Sequence, residues 1–325
     1  MLNRRELLAA VVVRAIAKGT EPFSAGADPV LHGDINAREG PAWHPRGVLY
    51  FTGSNRITQR DAAGNVSVYR ENAGANGLLV DRQGRLNVCE SRARRVTRTE
   101  RDGSFTVLAD AYDGMRFNTP NDLTIDSKGR IYFSDPRYGS RIGMEMRDRE
   151  GRLVEGVYRI DAPGQLARVI AHEVDRPNGL LVSPDDRNLY VADNNNTVGG
   201  ARRLWRFPLA GDGSVDAAGR ELVFDWRDGR GPDGLEMDRE GRLFVAGGRN
   251  VGRPPHESAD RFKGGVYVLS PGGELLGFVG IPKDEVTNCA FGGADWKTLF
   301  ITAGGELWSI RTEVPGWVPY PEVLG

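Results

Sequence analysis

A turn followed by a short apolar strand recurs six times along the chain: "HPRGVLYFTGS", "DRQGRLNVCES", "DSKGRIYFSDP", "SPDDRNLYVADN", "DREGRLFVAGG" and "GADWKTLFITAGG". Aligned on Leu49, Leu86, Ile131, Leu189, Leu243 and Leu299, the units are separated by 37, 45, 58, 54 and 56 residues. A strand repeat of that length suits four-stranded propeller blades with variable loops. Further strands come after each unit: "GVYRI" and "ARVIAHE" after the third, "RRLWRFPL" and "RELVFDW" after the fourth, "GGVYVLS" and "ELLGFVGIP" after the fifth. Alternation and β-branched or aromatic enrichment mark them as strands. The last unit is one strand short, because the chain turns Pro-rich after "ELWSIRT". A propeller removes its open sheet edge by closing the ring. The spacing therefore predicts an all-β, six-bladed propeller over residues 30–325, closed by an N-terminal strand near "PVLHGD".

Residues 1–29 read differently. Arg4 and Arg5 precede an apolar stretch at 7–13, in the manner of a twin-arginine export signal. The stretch is short, and Arg14 and Lys18 break the apolar character of the residues after it. A leader or a helix packed on the domain is the other reading, with a cytoplasmic location expected and a periplasmic one if the signal is genuine. Lys plus Arg number 43 and Asp plus Glu 44, a net charge of −1. No basic excess is available to attract nucleic acid or an anionic membrane. No apolar run approaches a membrane span. Two cysteines, Cys89 and Cys289, are too few for a disulfide framework, and none of the four histidines stands at zinc-ligand spacing from them. The expected partner is a small molecule, and the expected state a monomer or small homo-oligomer.

Ten or eleven residues before each alignment position stands an oxygen-bearing side chain: Glu39, Asn76, Asn121, Asn178, Asp233 and Asn288. The first strand of a propeller blade is innermost, so its leading residue looks into the mouth of the central channel. Six such groups converge there, with no sulfur and no imidazole among them. That set suits a hard cation, and calcium tolerates the irregular geometry that separate blades impose. Asn-Gly and Asp-Gly are also turn formers. The downstream "D-x-x-G-R" already supplies the hairpin, however, and Glu39, Asn121 and Asn288 fit a turn role poorly.

The motifs "EGPAWHPRGVLYF", "RFNTPNDLTIDSKGRIYFSDPRYG", "RPNGLLVSPDDRNLYVAD", "GPDGLEMDREGRLFVAGG" and "TNCAFGG" together resemble the SMP-30/gluconolactonase/luciferin-regenerating-enzyme-like family of calcium-dependent six-bladed propeller hydrolases. The resemblance covers nearly everything after Arg38. It implies that Glu39, Asn178 and Asp233 are metal ligands, with Asn121 a further ligand or a substrate contact. Calcium is the implied cofactor, with another divalent cation as the alternative. Animal sugar-lactonase members carry an Arg two residues before the asparagine of the "ND" pair, where this chain has Thr119. Its "FNTPND" is closer to the bacterial and fungal gluconolactonase pattern, with Asn118 and Thr119 as substrate-side residues.

A calcium ion with open positions acts as a Lewis acid on a carbonyl or phosphoryl oxygen. Asp233 is the candidate base for the attacking water. The leading expectation is a calcium-dependent hydrolase of a small lactone or ester. Phosphotriester or fluorophosphate cleavage at the same site, and a non-catalytic calcium-binding propeller, are the alternatives. No G-x-S-x-G elbow, H-E-x-x-H pair, phosphate loop or dinucleotide fingerprint is present. The long charged loop at 247–265 comes after the second strand of the Asp233 unit. It is a candidate lid, with Arg253 and His256 as substrate contacts.

Overall fold

The computed structural model describes residues 21–318. The segment 1–20, where the export signal or leader is expected, lies outside the described residues. Within 21–29, Phe23 is buried and meets Phe244 edge-on at 6.1 Å. Among the described residues there is no helix, and so none long and apolar enough to cross a membrane.

Six four-stranded antiparallel sheets form the ring. In blades one to five the strands run in chain order from the axis outwards. The innermost strands are Glu39–His44, Leu78–Val80, Leu123–Ile125, Pro177–Val182 and Leu235–Met237. In blade six, Val286–Gly292, Thr298–Ala303 and Gly305–Arg311 supply three strands, and Val30–Ala37 pairs antiparallel with the last of them. This is the closure that the missing strand predicts. Residues 313–318 cross to the far end of the channel instead, where Trp317 N donates to Met237 O (2.8 Å) and Arg239 N to Pro315 O (3.0 Å).

The core is not one mass but six seams, one between each pair of neighbouring blades. Between blades six and one, Phe300 and Leu307 meet Leu49 and Phe51; between blades two and three, Val96 and Leu108 meet Phe117, Phe133 and Tyr158. The pleat sends alternate side chains of each strand to opposite seams, which is why a period-two sequence folds this way. Emptying one such site, as in Phe51→Ala, costs about 3–5 kcal/mol.

The hairpins are fixed by the "D-x-x-G-R" turns. In the turns at Asp81, Asp126 and Asp238, one carboxylate oxygen accepts the backbone N–H groups two and four residues on, at 2.9–3.0 Å. The other oxygen accepts the arginine Nε at 2.9, 2.6 and 2.6 Å.

Candidate metal centre at the channel mouth

Asn178-Gly179 lies inside the strand Pro177–Val182 and makes no turn. The glycine is there for close approach. A Cβ at 179 would collide with the backbone carbonyl of Asp233 on the next blade, and one at 234 with the Asn288 side chain. Positions 40 and 77 abut Asn76 and Asn121 in the same manner. In four blades the glycine after the leading residue is thus pressed against the leading residue of the next blade, which draws the collar tight. Blades three and six place Asp122 and Cys289 where the others have glycine. Asp122 accepts from Asn288 Nδ2 across the channel at 3.4 Å.

Buried carboxylates at the ends of second strands hold two collar segments in place. Asp135 Oδ2 accepts Asn118 N (2.8 Å), and Asp193 accepts the backbone N–H of Arg176 (2.9 Å) and Asp175 (3.1 Å). Burial pushes these carboxyls up to about 7 and about 6. Asp193 therefore supports the approach to Asn178 from one strand away.

Asp233, Asn178 and Asn121 are buried. Glu39 keeps some accessible surface because it faces the channel, although protein encloses it. Asp233 Oδ2 accepts from Arg230 Nη2 at 2.7 Å, while its Oδ1 is buried with no hydrogen-bond partner. Asn76 Oδ1 is likewise buried and unpartnered. Asn178 Nδ2 donates to the Tyr138 hydroxyl at 2.7 Å, and the Arg176 guanidinium lies 5.3 Å over the Tyr138 ring. Burial, then the Asp233 and Asp122 charges, push Glu39 well above the usual carboxylate range. Burial raises Asp233 to about 6, against the pull of Arg230. Asp122 at about 7 and Glu236 at about 8 are raised chiefly by burial as well. Below the collar, Asp122 and Glu236 line a cavity of about 110 Å³ with Leu78, Leu181, Leu235 and Trp317.

The chemistry of this collar fits a hard cation. Its groups are oxygen donors, two of them carboxylates, and one carboxylate oxygen is buried without a partner. Among the described residues no three His, Cys, Asp or Glu side chains gather to hold a metal by themselves. The collar instead mixes Glu39 and Asp233 with the carboxamides of Asn121 and Asn178.

The other anticipated residues are placed differently. Asn118 is fully buried, and its amide donates to the carbonyls of Asp135 (3.0 Å) and Val154 (2.9 Å). Thr119 Oγ1 donates to Pro136 O at 2.5 Å. Arg253 sits on the rim, 64% exposed, 3.4 Å from Glu285. His256 is exposed, and its carbonyl accepts from Arg202. Sequence reasoning did not single out Arg230, Tyr138, Glu257 or Glu285. The signals were "GRGPDG", which sets an arginine three residues before Asp233, and the tyrosine in "DPRYG".

The walls of the mouth are uneven. The loops joining second to third strands span 54–55, 91–94 and 304 on blades one, two and six, but 136–155, 195–201 and 248–264 on blades three, four and five. Tyr138, Arg176, Arg230, Glu257 and Glu285 all belong to the tall side or its seam with blade six.

The fold and mouth define a six-bladed propeller with an oxygen-lined polar collar at one end of its channel. Residues 37–305 match the SMP-30/Gluconolactonase/LRE-like region, and the chain belongs to that family. It is 30% identical to a gluconolactonase of Zymomonas mobilis over 311 residues, covering 88% of this chain and 82% of that one. It is 28% identical to a pentonolactonase of Haloferax volcanii, covering 82% of each. A solved gluconolactonase from Xanthomonas campestris superposes with a TM-score of 0.72 at 30% identity, over 93% of this chain and 100% of that one.

Proposed function

We propose that the protein is a lactone hydrolase that works with a divalent cation, calcium by preference, held at the collar by Glu39, Asn121, Asn178 and Asp233. The observation that carries this reading is the buried, unpartnered Oδ1 of Asp233 amid oxygen donors from four blades. The relatives named above, two of them gluconolactonases and one a pentonolactonase, support a small lactone as substrate. When bound, the cation supplies Lewis-acid polarisation of the lactone carbonyl and stabilises the oxyanion that develops there.

The chain does the rest. Glu39 and Asp233 contribute two negative charges, which match a divalent ion. Asn121 and Asn178 add neutral oxygens, and Tyr138 fixes the rotamer of Asn178. Asp233 takes the proton of the attacking water, a role open to a carboxylate that stands beside both the cation and the water. The test is hydrolysis of aldonolactones and simple esters, measured with chelator and with calcium restored. Calorimetric titration of calcium runs alongside. Absence of both turnover and calcium binding removes the reading.

A further inference from the structure

We propose that Arg230 is a positioning residue which gives up Asp233 when a cation arrives and transfers to Glu257, drawing the 248–264 loop onto the mouth. The inference rests on the cation reading above but concerns groups that reading does not use. Arg230 is buried, and three carboxylates surround it. One, Asp233, is hydrogen bonded at 2.7 Å. The other two are within ion-pair reach only, Glu285 at 3.5 Å and Glu257 at 3.8 Å. Two buried polar atoms here lack a hydrogen-bond partner: Arg230 Nε and Glu257 Oε1, the oxygen that faces Arg230. A buried acceptor without a partner is unfavourable. A small shift of the guanidinium towards Glu257 brings Nη1 within hydrogen-bond distance of Oε1.

What holds Arg230 back is the Asp233 charge. A divalent ion at Oδ1 neutralises that charge and repels the guanidinium. Glu257 belongs to the long loop, and its other oxygen already accepts from Arg249 Nη1 at 3.1 Å. Arg249 also reaches Glu285 at 2.6 Å. The loop is otherwise fastened by Asp284, which accepts the backbone N–H of Asn250 and Val251 at 2.9 Å, and by Ser258 N to Asp228 O at 2.8 Å. Arg230 would thus add a grip between those two anchors. Its departure also exposes Asp233 Oδ2 to the attacking water, which loses its proton to that oxygen.

The experiment is hydrogen exchange across 248–264 with and without calcium, with calcium affinity measured separately by calorimetry. Wild-type protein should bind calcium and show exchange in the loop slowed by about tenfold or more. Arg230→Gln should bind calcium at least as tightly, since a competing charge is gone, yet show no calcium-dependent slowing. Glu257→Gln, which leaves Arg230 in place, should also bind calcium without slowing the loop. Arg230→Lys keeps the charge and guards against misfolding of the Gln variant; it should show partial slowing. Calcium binding to wild type with no change in loop exchange overturns the proposal and leaves the lactonase reading intact. Undiminished slowing in Arg230→Gln, or a marked loss of its calcium affinity, overturns it too. Failure of wild type to bind calcium sinks both readings.

Discussion

Blades six, one and two present a low wall to the channel mouth; blades three, four and five present a tall one. The two halves share strand pattern, turn chemistry and collar position, so the repeat alone cannot tell them apart. They differ in what stands behind the collar. On the low side, Asn76 Oδ1 is buried without a partner and Glu39 faces the channel. On the tall side, Tyr138 orients Asn178 and Arg230 pairs with Asp233, and both belong to loops or loop ends outside the repeat. A repeating scaffold supplies equivalent positions, and unequal loops decide what each side chain there meets.

Substitutions at equivalent positions test that contrast. Asp233→Asn should have the largest effect, a fall of about a thousandfold or more in kcat/KM, because it removes a ligand charge and the proton acceptor together. Near-normal turnover at saturating calcium would show that the proton goes elsewhere. Asn178→Ala should weaken calcium binding by about a hundredfold in calorimetry. Tyr138→Phe removes only the hydroxyl that orients Asn178, and a loss of about tenfold in calcium affinity is expected. Asn76→Ala, with the same local "NGLLV" as Asn178, should change affinity by less than about threefold. Equal effects at 76 and 178 would erase the distinction between the halves.

The smallest expected effect is on pH dependence. Asp122, Asp135, Asp193 and Glu236 have carboxyls raised by burial to between about 6 and about 8. The folded chain therefore holds protons that the unfolded chain releases. Their contribution to stability is complete below the ordinary carboxylate range and is lost as pH rises through about 6 to 8. Without calcium, the melting temperature should decline by a few degrees from pH 5 to pH 8. A rise over that range would mean that these carboxylates are not buried as described.

Much of this was legible in the sequence. The ring, its closure and the collar positions come from features that recur: alternating apolar residues, "D-x-x-G-R" turns, and one polar residue at a fixed offset. The role of Gly179 was not legible, because the atom it makes room for, the Asp233 carbonyl, lies more than fifty residues away in sequence and on another blade. Arg230, Tyr138 and Glu257 were missed for a related reason. Each lies in a segment that occurs once, so no register against the other units could point to it. Asn118 shows what a neighbouring motif leaves unsaid. It is expected on the substrate side because it stands beside the collar motif, and its bonds to the strand end at Asp135, through backbone and amide, cannot be read from that position.

The strand Val30–Ala37 closes blade six, and His32 bonds Ser309 across 277 residues of sequence. On the ribosome this has a temporal meaning. At roughly 5–20 residues per second, the closing strand emerges tens of seconds before its partner exists. Throughout that interval its hydrogen-bonding edge and the exposed Val30 and Leu31 have no mate, while blades one to five are completed in order of synthesis. The newborn chain is thus an open arc that becomes a ring only when its last blade is made, and the interval before closure is when chaperones have most to protect.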